Sequence, residues 1–136
     1  DDAMNNTSLI LLFEMGNKKL LFPGDAQIEN WEYALGRPEV LRTLSKVTHY
    51  KVGHHGSLNA TPKTLWNQFT GRSRKNTSKR LTTILSTMPG KHGTRAKGTE
   101  VPRMPLLAEL QAESSLHDTQ TLPAAQICDE LVIDLT

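Results

Sequence analysis

Cysteine is nearly absent, aromatic residues make up only 5%, and no charge of one sign dominates. With Cys128 the sole cysteine, an internal disulfide is excluded, and a thiol beside the apolar run 131–135 reads as buried filler. That economy is compatible with the cytoplasm, the favoured compartment, but does not establish it, since bacterial secreted proteins often lack disulfides too. A net charge of +2 and a pI near 8.8 say little about partners. No run approaches the ~20 apolar residues of a membrane span, and no signal peptide or anchor is seen. There is no internal repeat, no heptad, no Gly-rich nucleotide loop and no Gly-x-Ser-x-Gly.

What remains is a chain of 136 residues, 37% hydrophobic and 22% charged, enough for one domain with a core. Its first residue is Asp1, which fits a piece of a longer protein.

Chemistry-bearing residues gather at the ends of short apolar runs. Residues 47–52 are rich in β-branched and aromatic side chains and read as a strand, broken at Gly53 and followed by His54, His55 and Gly56. Leu20, Leu21 and Phe22 likewise run into Pro23-Gly24 and present Asp25. A carboxylate and imidazoles on neighbouring strand tips suit zinc, manganese or iron. Asp25 has a plainer reading as the cap of the following helix. Alternation along a strand would turn His54 and His55 to different faces, so one of them has a structural reading.

The stretches Asn5-Asn6-Thr7-Ser8 to Leu12, Lys19-Leu20-Leu21-Phe22-Pro23-Gly24-Asp25-Ala26 and Tyr50-Lys51-Val52-Gly53-His54-His55-Gly56-Ser57 resemble the C-terminal half of a metallo-β-lactamase-fold hydrolase. Within that superfamily they are most similar to the branch containing the extracytoplasmic domain of the competence protein ComEC. The resemblance covers residues 5–62 and weakens beyond. It implies half of an αββα sandwich, an α/β domain with a mixed sheet and helices on one face, with 1–136 as the C-terminal portion. It implies that Asp25 bridges two metal ions, expected to be zinc with manganese or iron as alternatives, and that His54 is the last ligand histidine. His55 then stands beside the ligands or acts in the chemistry. The superfamily's His-x-His-x-Asp-His cluster is absent, so these residues supply part of a ligand set and should bind metal weakly alone. The missing N-terminal half of the same domain is the implied partner.

Further expectations follow along the chain. Residues 8–14 and 18–22 form a hairpin around Met15-Gly16-Asn17, with glycine and asparagine taking positive φ. A continuously apolar strand at 9–13 suits a layer covered on both faces, and without its partner layer would leave a sticky surface. Ile28, Trp31 and Leu35 predict a helix that ends at Gly36-Arg37-Pro38, with Trp31 on its buried stripe in preference to a substrate platform. Val40, Leu41 and Leu44 predict a second short helix, and His49 reads as packed or surface. Thr61-Pro62 predicts a helix start, either a plain cap or a phosphate cradle near His54.

Residues 71–80 carry five positive charges and no apolar side chain. A solvated connector is favoured over a phosphate-attracting flap, because no aromatics are interleaved for stacking. Residues 81–86 predict a strand ending in a loop with Lys91 and His92. In ComEC-like proteins a proline usually follows that histidine, where Gly93 stands here. Residues 102–112 predict a helix and 131–135 a closing strand, with 114–125 a surface loop that solvates His117 and Asp118.

The function these features imply is hydrolysis by metal-activated water, which supplies hydroxide near neutral pH. A phosphodiester or nucleic acid is the expected substrate. His55 would steer or protonate the leaving group, Lys91 would neutralise phosphate, and His92 would contact substrate. Two other classes are open: a noncatalytic remnant or interaction module of the same fold, and a basic nucleic-acid-binding domain.

Overall fold

A computed structural model of the chain describes residues 7–88 and 90–136; Asp1, Asn5 and Asn6, named above, lie outside the described residues. The hairpin forms as β1 (Leu11–Met15) and β2 (Lys18–Phe22), antiparallel with Phe13 opposite Leu20 and Glu14 opposite Lys19. At its turn only Gly16 takes positive φ, +56°; Asn17 does not. The Asn17 amide instead donates to the Thr136 carbonyl, 3.3 Å away.

Three parallel strands follow: β3 (His49–Lys51), β4 (Thr82–Leu85) and β5 (Ser115–Asp118). The sheet is mixed, in the order β1-β2-β3-β4-β5. Parallel neighbours need crossovers, and helices provide them. They are α1 (Ile28–Leu35), α2 (Pro38–Leu44), α3 (Lys63–Trp66) and α4 (Met104–Glu113). The described residues thus form an α/β fold with a five-strand mixed sheet and four helices. No helix among them is long and apolar enough to cross a membrane.

Side chains alternate along each strand, so the register sorts them by face. Leu21, Tyr50, Thr83 and Leu85 fall on the face that packs into one core with Trp31, Leu65, Phe69 and Leu110 from the helical segments. Trp31 is fully buried, as a core residue and not a platform. On the opposite face Leu11, Phe13, Met15 and Phe22 remain exposed, Phe13 at 48%, with the Phe13 and Phe22 rings edge to face.

Four local expectations are corrected. Residues 115–118 are a strand and not loop: Ser115 N–H donates to Leu81 O at 2.8 Å and the rest ladders onto β4. Only Leu116 in this stretch is apolar, so it carries no periodic signal; an edge strand tolerates polar side chains. His117 is accordingly half-exposed in a strand, 4.0 Å from Asp129, and Asp118 caps the short turn Thr119–Thr121 through Gln120 N–H.

Conversely, residues 131–135 make no strand despite their composition, and Val132 is 82% exposed. Cys128 is exposed, not buried filler. Thr61 does not cap α3: Pro62 precedes the helix, and the Thr61 hydroxyl bonds the Tyr50 hydroxyl at 2.8 Å.

Candidate functional site: the cleft beside His55

The tips of β2 and β3 meet because glycine stands at the contact. A Cβ on Gly53 would come within 3.0 Å of the Gly24 carbonyl oxygen and 3.1 Å of the Pro23 ring. With no side chain in the way, His54 N–H donates to Gly24 O at 3.2 Å. The backbone of His54 therefore sits beside the residue preceding Asp25. Asp25 is exposed, and it does not cap α1, whose N-cap is Gln27 with its N–H bonded to Asn30 Oδ1.

A polar cluster holds the histidine loop from below. Trp31 Nε1 donates to the Ala60 carbonyl at 3.3 Å, and Tyr50 reaches Thr61. Burial pushes the Tyr50 hydroxyl far above its ordinary pKa, with the Thr61 bond opposing, so it stays a neutral hydroxyl.

His54, His55 and Gly56 lie at φ of +38°, +54° and +79°. The strand has already ended, so strand alternation does not set the two imidazoles apart. Their ring centres are 6.3 Å apart. Left-handed backbone costs a non-glycine residue about 1–2 kcal/mol, and two successive histidines bear it here. It turns His55 across the end of β4, where its Nδ1 lies 2.8 Å from the Ser86 carbonyl oxygen. A carbonyl only accepts, so Nδ1 carries the proton of that bond and Nε2 keeps its lone pair in the neutral ring.

His55, Ser86, Thr87, Met88, Lys91, His92 and Val101 line a single cleft of about 280 Å³. The three residues expected to act in the chemistry, His55, Lys91 and His92, are thus brought together from two segments. Asp25 and His54 do not line this cleft. Lys91 and His92 sit between Gly90 and Gly93, both at positive φ. A Cβ on Gly93 would fall 1.7 Å from Thr99 O, and proline, fixed near −65°, could not adopt its φ of +67°. The loop is closed by Val101 N–H donating to His92 O at 3.1 Å.

Sequence reasoning missed two residues of this region and undervalued a third. Thr119 clips the cleft from β5's side: Thr87 N–H donates to its hydroxyl at 2.9 Å and the hydroxyl donates to Thr87 O at 2.8 Å. No signal could find Thr119 in a stretch read as loop. Thr87 lies in the loop after 81–86, where Lys91 and His92 are the residues that stand out by type. Lys51 stands in the motif itself; burial lowers its pKa and the Asp25 charge opposes that shift, so ammonium and carboxylate are within electrostatic reach.

Among the described residues no three His, Cys, Asp or Glu side chains gather as a metal site. The donors at Asp25 and His54 are the right chemistry but too few, so these residues do not by themselves fit a zinc centre. His49 joins no such group: it bonds Thr48 Oγ1 at 2.9 Å.

The basic segment 71–80 is tied into the fold. Arg72 donates to Asn67 Oδ1 and, with Arg74, pairs with Glu113 at 3.5 and 3.4 Å. Arg80 donates to the carbonyls of Ser73, Ala112 and Ser114, placing a cation at the C-terminal end of α4. The solvated-connector reading gains from this, and among the described residues only Lys75 and Lys79 of the segment's cations have no such side-chain partners. The α3 helix has four residues, too short for a phosphate cradle.

No protein-family model, no curated protein and no solved structure matches this chain.

Proposed function

We propose that this chain is the C-terminal part of a metallo-β-lactamase-like, ComEC-like hydrolase, one half of an αββα sandwich, acting on phosphodiesters or nucleic acid. The observation that carries the reading is the shared cleft of His55, Lys91 and His92, with His55 oriented by the Ser86 carbonyl. In that arrangement Nε2 of His55 is a free base that can take a proton and return it to a leaving group. Lys91 offsets the charge of a phosphoryl group, and His92 lines the same wall.

The metal requirement is carried by the resemblance together with Asp25 and His54 at touching strand tips. Zinc is the expected ion, with manganese or iron as alternatives. Its remaining ligands would come from the other half of the domain, and the exposed apolar face of β1 and β2 is the surface such a layer would cover.

Metal content and turnover of a phosphodiester panel, measured on the longest natural protein containing residues 1–136, test this. Bound metal with hydrolysis lost in Asp25→Ala is expected. A metal-free protein with no turnover favours the second reading, a noncatalytic module of the same fold. The basic nucleic-acid binder has less support, because Arg72, Arg74 and Arg80 are engaged within the fold.

A further inference from the structure

The Thr87 hydroxyl is shielded from solvent and has no hydrogen-bond partner among the described residues, although Thr87 lines the cleft. Its backbone N–H and C=O are both taken by the Thr119 hydroxyl, so the side chain is fixed at the cleft wall with its own donor and acceptor capacity unused. Lys91, His92 and His55 line the same cleft. An unpaired hydroxyl that shares a cleft with an ammonium group suits a compact polyoxygen anion that accepts from both.

We infer that this cleft is an oxyanion subsite in which the Thr87 hydroxyl and the Lys91 ammonium hold a tetrahedral phosphoryl group. The hydroxyl is closed off from solvent, so the subsite requires the cleft wall to open for a ligand oxygen to reach it; the positive-φ glycines 90 and 93 flank the two basic residues of that wall. The inference rests on the hydrolase reading for the identity of the phosphoryl donor, but not for the binding itself. Thr87 contributes by holding the group, and Thr119 is a positioning residue acting through Thr87.

The test is titration of the isotope-labelled 136-residue chain with inorganic phosphate in chelator, at constant ionic strength, followed by amide and imidazole resonances. Saturable shifts centred on Thr87, Lys91 and His92 are expected. Thr87→Val, which keeps the shape and removes the hydroxyl, should weaken binding by about tenfold, and Thr87→Ser should restore it. Lys91→Gln should weaken it comparably. If Thr87→Val loses its dispersed spectrum, Thr87→Ser and Lys91→Gln decide: retained binding in the first and loss in the second support the subsite. Titration of Thr87→Val like the unaltered chain, binding unaffected in Lys91→Gln, or shifts confined to Lys75 and Lys79 overturn it. Phosphate binding without any phosphodiester turnover overturns the hydrolase reading and leaves the subsite standing; turnover with Thr87→Val binding phosphate normally does the reverse.

Discussion

His55 Nδ1 lies 2.8 Å from the carbonyl oxygen of Ser86, joining the loop after β3 to the end of β4. The bond fixes which ring nitrogen is protonated and leaves the lone pair of the neutral ring on Nε2. Long-range proton–nitrogen correlation spectra should therefore find the neutral His55 ring protonated at Nδ1. A ring protonated at Nε2 would remove the base from the cleft.

Gly56 is required by geometry as well as by φ. A Cβ there would come within 3.0 Å of the Pro102 Cβ and 3.3 Å of Leu85 Cδ1, at a φ of +79°. Gly56→Ala should cost about 2–3 kcal/mol in urea unfolding, from backbone strain and overpacking together. A neutral substitution would mean that the histidine loop is held less tightly than its contacts indicate.

Burial, with the charges of Lys18 and His117 adding, holds the His49 imidazole below 6.5 in the fold. As the pH falls through that value the unfolded chain takes up the proton first, so the fold loses stability; above it the ring is neutral in both states and contributes nothing. Melting followed from about pH 7 to about pH 5 should fall less steeply in His49→Gln than in the unaltered chain.

The layout of the site was legible where side-chain type and backbone need coincide. Gly24 and Gly53 at the ends of Leu- and Val-rich runs announced two strand tips, and those tips touch. Trp31, Leu65 and Phe69 stood at helical spacing and are buried. The loop 87–93 was read for its histidine and lysine, and both line the cleft. What could not be read depended on distant partners. Residues 115–118 become a strand only because β4 offers an unpaired edge, and 131–135, with better strand composition, find no ladder. His55 lines the cleft and His54 does not, but both stand in a left-handed turn beyond the strand, so strand alternation is not what separates them.

Glu113 organises the basic loop through Arg72 and Arg74. Glu113→Gln should lower stability by about 1 kcal/mol or less, since Arg74 is largely exposed. Freed of that carboxylate, the loop should bind nonspecific DNA more tightly at low salt than the unaltered chain does, measured by fluorescence anisotropy. An unaltered chain that already binds DNA tightly, with a steep salt dependence, would support the binder reading instead.

The exposed apolar strip of Leu11, Phe13, Met15 and Phe22 should bind a hydrophobic dye and limit solubility. Phe13→Thr with Leu11→Thr should reduce dye binding while leaving the melting temperature nearly unchanged, because neither side chain belongs to the buried core.

The most direct test is kcat for hydrolysis of a phosphodiester by the longest natural protein containing this chain, with and without His55→Gln. The account predicts a loss of about a hundredfold or more with metal content retained, the size expected when a positioned proton-transfer group is removed. An unchanged kcat would show that the imidazole beside Ser86 takes no part in the reaction.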